Sequence, residues 1–251
     1  MHASKIEYRL RGPIMTAIVG IGFWAPWIPA LDAGHRVSSL EWMALQISRT
    51  SIMPFVYATP VVIAAGVVLA GLGMFFRIWG TAYLGPSRVN SSRMIGDALL
   101  IAGPYRSVRN PLFLGTWCML AAIAFLMPPA GAVVALPLLT FFLVRLVLAE
   151  EEFLSTEFGE AYRIYAAATP RLLPRLRSNL PRTGAKPHLL IAIGSELNGI
   201  SVFVIMAGFS WTYDHELMIK ALLVGFGLSL VARALIVEKP QPAGLEVEGR
   251  K

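Results

Sequence analysis

The sequence predicts an all-α fold, a polytopic membrane helical bundle of about six transmembrane helices that includes a tight helical hairpin. Hydrophobic residues make up 56% of the 251 residues and charged residues 15%, whereas soluble domains carry about 25% charged residues. The apolar residues also come in long blocks, and a bilayer core of about 30 Å requires ~20 apolar residues in a helix. Each block must be helical, because a lone segment in lipid can satisfy its backbone polar groups only internally. The six blocks are residues 14–31, 54–76, 112–127, 130–149, 189–211 and 217–237.

The third and fourth blocks are predicted to form the hairpin. Pro128-Pro129 separates them, and proline is typical of a helix boundary. The third block would be about 24 Å long as a helix, which is short for a full crossing. A hairpin brings its two open ends together, so residues 106–111 are expected beside residues 150–152.

The distribution of Lys and Arg predicts the orientation. With six crossings, the basic clusters before the first block, after the second, after the fourth and after the sixth all lie on one side, and the opposite connections hold only Arg36 and Arg49. Cytoplasmic loops carry the excess of basic residues, so we expect both termini in the cytosol, in a bacterial inner membrane. This bias also accounts for the net charge of +7, and no nucleic-acid partner is expected.

Cysteine and histidine argue against several chemistries. Cys118 is the single cysteine and lies inside the third block, so no intramolecular disulfide is expected. The four histidines are scattered without metal-ligand spacing, and we expect no metal site.

The segment before the third block suggests an anion site. Asn110 followed by Pro111 is typical of an N-cap with proline at the first helical position. The start of that helix would present free N–H groups and the positive end of its dipole to a carboxylate or phosphate, reinforced by Arg106 and Arg109. Alternatively, Asn110 only caps the helix and the arginines only set the topology.

The end of the fourth block carries three consecutive glutamates, Glu150 to Glu152. They oppose the negative end of the helix dipole, unless the helix continues or the carboxylates meet a cation. Leu154, Phe158, Tyr162 and Tyr165 share one helical face, which predicts that the helix continues as an amphipathic stretch at the membrane interface. The glutamates are then either a solvated run or part of a binding site.

These motifs, taken in order, resemble the isoprenylcysteine carboxyl methyltransferase and phospholipid methyltransferase superfamily. The likeness covers roughly residues 60–176. It departs at Asn110, where the family usually has histidine, and at Phe113, where it usually has tyrosine. The segments that carry it are residues 71–73, 77–85, 103–115, 150–154 and 170–174, with Phe158-Gly159, Tyr162 and Tyr165.

The resemblance implies S-adenosylmethionine as the cofactor, in a pocket entered from the cytosol, and an isoprenoid or lipid acceptor that arrives through the bilayer. It divides the chain into an N-terminal anchor helix with a non-cytosolic loop (1–53), a methyltransferase-like core (54–176), and a two-helix extension with a cytosolic tail (177–251). Asn110 is also a candidate catalytic residue. The implied cofactor-binding residues are Gly103, Pro104, Tyr105, Arg106, Arg109, Asn110, Pro111, Phe113, Gly115, Glu150 and Glu151.

Glu196 lies within the fifth block and is a second candidate catalytic residue. A charge near the bilayer centre costs about 2.5–3.5 kcal/mol on insertion scales, so a partner is expected, and Arg233 in the sixth block is the candidate. Such a pair would lock the last two helices together. Alternatively, Glu196 lines the acceptor pocket as a base or a head-group contact.

Two other functions stay open from the sequence. Membrane sterol reductases, which use NADPH, carry a segment similar to residues 103–115, although they do not usually continue with the glutamate motif. A non-catalytic membrane protein that retains the fold is the other, because Asn110 and Phe113 depart from the family pattern.

Overall fold

The computed structural model describes residues 2–24, 37–91, 93–96, 99–175, 180 and 185–235, and these residues form an all-α protein. The end of the first predicted block, Arg36 and the C-terminal tail from residue 236 lie outside the described residues, as do the side chains of His215, Arg233 and Leu235. The helices are α1 Lys5–Arg9, α2 Arg11–Trp24, α3 Ser39–Arg49, α4 Phe55–Leu84, α5 Pro86–Asn90, α6 Pro111–Ala124, α7 Pro129–Ala168, α8 Leu189–Ser195, α9 Leu197–Thr212 and α10 His215–Leu235, with a 3₁₀ turn at Gly103–Arg106.

Two helices in the described part of the chain are long and apolar enough to cross a membrane. These are α4 and α7, and a third candidate arises if α8 and α9, which meet at a bend of 70°, count as one broken span. Helix α6 is apolar but shorter, as its 16-residue block predicted. The all-α class is therefore confirmed, and the structure supports two to three membrane-spanning candidates.

The predicted hairpin is present. Helix α6 ends at Ala124 and α7 begins at Pro129, so the turn is short. The amide of Ser39 donates to the carbonyl of Met127 at 2.7 Å, and that of Leu40 to the carbonyl of Phe125 at 3.0 Å. The first turn of α3 thus supplies donors to carbonyls that the end of α6 leaves without helical partners.

Helices α4 and α6 cross at two glycines. A Cβ atom on Gly115 would lie 2.8 Å from Cγ of Arg77 and 2.9 Å from the carbonyl oxygen of Gly73. The two backbones are therefore in contact, as small residues allow in membrane helix pairs. This close approach places the side chain of Arg77 in contact with α6.

We expect Gly115→Ala to destabilise the protein by about 1–3 kcal/mol, the usual cost of overpacking a tight contact. Unfolding of the purified protein in detergent measures this. Gly208→Ala is the matched control, because a Cβ there would meet nothing within 4 Å. Equal stability of the two variants would contradict the crossing described above.

Helix α7 continues beyond the glutamates, as the aromatic spacing predicted. It reaches Ala168, with Tyr162 and Tyr165 buried. Gly159 interrupts the helical geometry with φ 52° and ψ −122°, a conformation that favours glycine. Nothing lies within 4 Å of a Cβ placed there, so the backbone rather than lack of space requires the glycine.

Candidate functional site

The start of α6 and the glutamates of α7 meet, as the hairpin predicted. The Asn110 side-chain amide donates to Oε1 of Glu151 at 2.9 Å. Arg109 Nη1 lies 3.3 Å from Oε2 of the same carboxylate. An arginine-bearing helix start therefore lies against an acidic stretch of helix at one end of the hairpin.

Glu151 also binds a third segment, which follows α7. Arg171 Nη2 lies 2.9 Å from Glu151 Oε2 and its Nε donates to the same oxygen at 3.0 Å. This bond raises the pKa of Arg171. Two main-chain hydrogen bonds, from Arg109 N to the Pro170 carbonyl and from Arg175 N to the Ser107 carbonyl, both 2.9 Å, hold this segment beside the start of α6.

Both oxygens of buried Glu151 are thus occupied by protein donors. This geometry favours a role for Glu151 in holding Arg109, Asn110 and Arg171 together over direct contact with a ligand. Arg171 was not among the predicted site residues. Its position in the 170–174 motif could have indicated a role for it. The contact of that motif with the start of α6 is visible only in the fold.

The side chain of Asn110 does not cap its helix. Its carbonyl accepts from the Leu114 amide at 3.0 Å, so Asn110 occupies the predicted N-cap position. No side-chain cap bond forms, and Nδ2 instead lies on Glu151 and on the Arg171 carbonyl, 3.2 Å away. The alternative that Asn110 only caps the helix is therefore wrong.

The three adjacent glutamates have three environments. Glu150 is half-buried, Glu151 is buried and Glu152 is exposed, because successive side chains on a helix point about 100° apart. Glu150 Oε2 accepts a long hydrogen bond of 3.5 Å from the Tyr8 hydroxyl. Glu152 lies 3.3 Å from Nδ1 of His2. Among the described residues, Glu150 is thus the shielded carboxylate of the three whose single side-chain hydrogen bond is long.

The 3₁₀ turn places Tyr105 inside the protein. Gly103 adopts φ 53° against the ring of Tyr83, where a side chain would collide. The Tyr165 hydroxyl donates to the Tyr105 carbonyl at 2.7 Å. Burial, and then the charge of Glu150, raises the pKa of Tyr105, so its hydroxyl stays protonated and able to donate at neutral pH.

Three predicted cofactor-binding residues hold buried polar atoms that have no hydrogen-bond partner among the described residues. These atoms are the Tyr105 hydroxyl, Arg106 Nε and Arg109 Nε. Arg106 also donates through Nη2 to the carbonyl of Leu180. Among the described residues, Arg145 Nε and Thr169 Oγ1 are also buried without a partner. Buried polar groups are nearly always hydrogen-bonded, so the donors on Tyr105, Arg106 and Arg109 are available to a partner from outside the chain.

The other predicted residues of this segment make packing contacts. Pro104 and Pro111 are buried, and Phe113 packs against the apolar core. Gly115 lies at the crossing with α4 described above.

Glu196 lies at the break between α8 and α9 and is 1% exposed. Its Oε2 lies 2.6 Å from Arg77 Nε, and its Oε1 lies 2.9 Å from Arg77 Nη2. The Thr81 hydroxyl donates to Oε1 at 2.7 Å, and Arg77 Nη1 donates to the Thr116 hydroxyl at 2.8 Å. A buried polar cluster of Arg77, Thr81, Thr116 and Glu196 thus joins α4, α6 and the broken helix.

Glu196 has a charged partner, as expected, and among the described residues that partner is Arg77. The side chain of Arg233 lies outside the described residues, while Arg77 and Thr81 occupy both Glu196 oxygens. Arg77 could have been noticed in the sequence as a charge in an otherwise apolar helix, which requires a partner. Its partner comes from 119 residues along the chain, and no local pattern indicates that distance.

Residues 61–161 match the family model described as phospholipid methyltransferase. No curated protein and no solved structure matches the chain at a significant level. The matched stretch contains most of α4, the 3₁₀ turn, the hairpin and the glutamates, whereas Tyr8, Arg171 and Glu196 lie outside it.

Proposed function

We propose that this chain is an S-adenosylmethionine-dependent membrane methyltransferase that methylates a phospholipid held in the bilayer. The support is the match of residues 61–161 to the phospholipid methyltransferase family, whose members are membrane methyltransferases that use this cofactor. The observation that carries the proposed site is the group of partnerless buried donors on Tyr105, Arg106 and Arg109. All three residues belong to the segment, residues 103–115, that contacts Glu151.

The side chains fit the cofactor chemically. S-adenosylmethionine carries an ammonium, a sulfonium, ribose hydroxyls and a carboxylate. Glu150 suits the cationic groups or the hydroxyls, since its protein contact is long. Arg109, the neighbouring Arg106 and the start of α6 suit the carboxylate, because guanidinium groups and helix N-termini both favour anions.

The residues of the chain bind and align the reactants. When bound, S-adenosylmethionine would supply the methyl group to a lone pair of the acceptor, and its carbon–sulfur bond would break to leave a neutral thioether. An ammonium head group would first have to lose a proton to the solvent or to a base. Asn110 does not titrate, so we propose that it fixes Glu151, and through it Arg109, rather than moving a proton. A shielded pocket with fixed dipoles favours a reaction in which charge is redistributed.

For Glu196 we propose a positioning role. Its two oxygens accept hydrogen bonds from Arg77 and Thr81, so it holds the Arg77 guanidinium in place. The other possibility, direct contact with the acceptor head group, would require these bonds to break.

We propose the topology that the basic residues predict: six crossings with both termini and the pocket on the cytosolic side. In this arrangement α2, the hairpin α6–α7, α10 and the broken helix α8–α9 complete the bundle around α4. The core, residues 54–176, would hold the cofactor, and residues 177–251 would support it through Glu196.

A thermal-shift experiment in detergent tests the cofactor. A ligand that binds only the native state at 100 times its Kd stabilises it by about 2.7 kcal/mol, so S-adenosylmethionine is expected to raise the melting temperature. NADPH is expected to have no effect, and a shift with NADPH alone would favour a reductase. An unchanged melting temperature with both ligands would favour a non-catalytic protein.

The acceptor is tested by incubating the protein with lipid extract and methyl-labelled S-adenosylmethionine, then separating the products by mass. Label is expected in a phospholipid fraction. Label in a prenylated peptide or an isoprenoid acid would support methyl transfer but would contradict a phospholipid acceptor. Glu150→Gln is expected to reduce incorporation at least tenfold, whereas exposed Glu152→Gln is the matched control.

A further inference from the structure

The N-terminal segment, residues 2–11, packs on the end of α7 that carries the glutamates. Glu7 Oε2 lies 2.9 Å from Arg145 Nη2, and the Ala3 amide donates to the Arg145 carbonyl at 3.3 Å. Ser4 and Glu7 form a reciprocal capping box at the start of α1, which makes this short helix a defined element. The segment lies outside the residues that match the family.

A second attachment joins this segment to the connection after α4. The guanidinium of Arg11 lies 4.4 Å from the centre of the Tyr8 ring. Arg11 Nη2 donates to the carbonyls of Val89 at 3.0 Å and Ser91 at 2.7 Å. Residues 2–11 are thus fixed both to α7 and to residues 89–91, with Tyr8 between the two attachments.

The position of the Tyr8 hydroxyl is not explained by packing alone. Tyr8 is 8% exposed, and its hydroxyl donates to Oε2 of Glu150. Burial raises the pKa of Tyr8, so the hydroxyl remains a donor at neutral pH. A phenylalanine would fill the same volume but would leave Glu150 without this bond.

We infer that residues 2–11 form the outer wall of the donor site and that Tyr8 is a further binding residue, which holds Glu150 toward the cationic end of the sulfonium donor. This inference rests on the proposed function. By holding one Glu150 oxygen, Tyr8 leaves the other oxygen free for the ligand. Arg11 fixes the wall by joining it to residues 89–91.

Titration calorimetry of the full-length protein in detergent with S-adenosylmethionine tests this. Tyr8→Phe is expected to raise the Kd for S-adenosylmethionine by about 3- to 10-fold. This is the range for loss of one long hydrogen bond to a charged group. In the Glu150→Ala background the same substitution is expected to change the Kd by less than about twofold, because the acceptor of the hydrogen bond is absent. Tyr57→Phe, at an exposed tyrosine on α4, is the matched control.

Melting temperatures of the variants show whether a change in Kd reflects the site or the fold. An unchanged Kd in Tyr8→Phe overturns the inference, as does an equal loss in Tyr8→Phe with and without Glu150. If Tyr8→Phe is too unstable to purify, Arg11→Gln replaces it. Weaker binding by Arg11→Gln then supports the wall, and wild-type affinity overturns it. Failure of the wild-type protein to bind S-adenosylmethionine overturns the proposed function itself, which distinguishes the two.

Discussion

Glu151→Ala is expected to destabilise the protein by about 3 kcal/mol and to abolish detectable binding of S-adenosylmethionine. The side chain forms ion pairs with Arg109 and Arg171 and accepts a hydrogen bond from Asn110. Removing one member of a buried pair costs about 3–5 kcal/mol, because the other charge stays buried without compensation. The lower end applies here, since Arg171 is about half exposed and water can solvate it.

Chemical unfolding in detergent measures the stability, and calorimetry measures the binding. Glu152→Ala is the matched control, because it removes the same side chain one residue away at a position that is 60% exposed. The control is expected to lie within about 0.5 kcal/mol of wild type. If the two variants lose the same stability, Glu151 does not hold the three segments together.

Glu196→Ala is expected to cost about 3–5 kcal/mol of stability, by the same reasoning applied to a deeper pair. Arg77 is 14% exposed and Glu196 1%, so the guanidinium would lose both carboxylate bonds in a place that water hardly reaches. The double variant Arg77→Met with Glu196→Met is expected to recover at least half of that loss, because an apolar pair needs no compensation.

The same variants separate a structural from a positioning role. The stability-restored double variant is expected to keep its affinity for S-adenosylmethionine and to lose turnover on lipid. Glu216→Ala, at an exposed glutamate of α10, is the control for loss of a charge. Full turnover in the double variant would show that the pair only joins the helices.

Much of the architecture could be predicted from local patterns. The Pro128-Pro129 pair and the Asn110-Pro111 pair mark helix boundaries, and proline marks them because it lacks an N–H and fixes φ. Those boundaries predict the hairpin, and the hairpin in turn predicts the contact between the start of α6 and the glutamates. The aromatic spacing from Leu154 to Tyr165 predicted the continuation of α7 for a similar local reason.

Local patterns therefore predict the all-α membrane class, the hairpin and the segments that meet at its open end, because apolar length, proline and helical period act between near neighbours in the chain. The different contacts of the three adjacent glutamates, and the partners of Arg77 and Glu150, are known only from the fold. Those partners, Glu196 and Tyr8, come from more than a hundred residues away. Such pairings depend on how helices pack and rotate against one another, which no local pattern specifies.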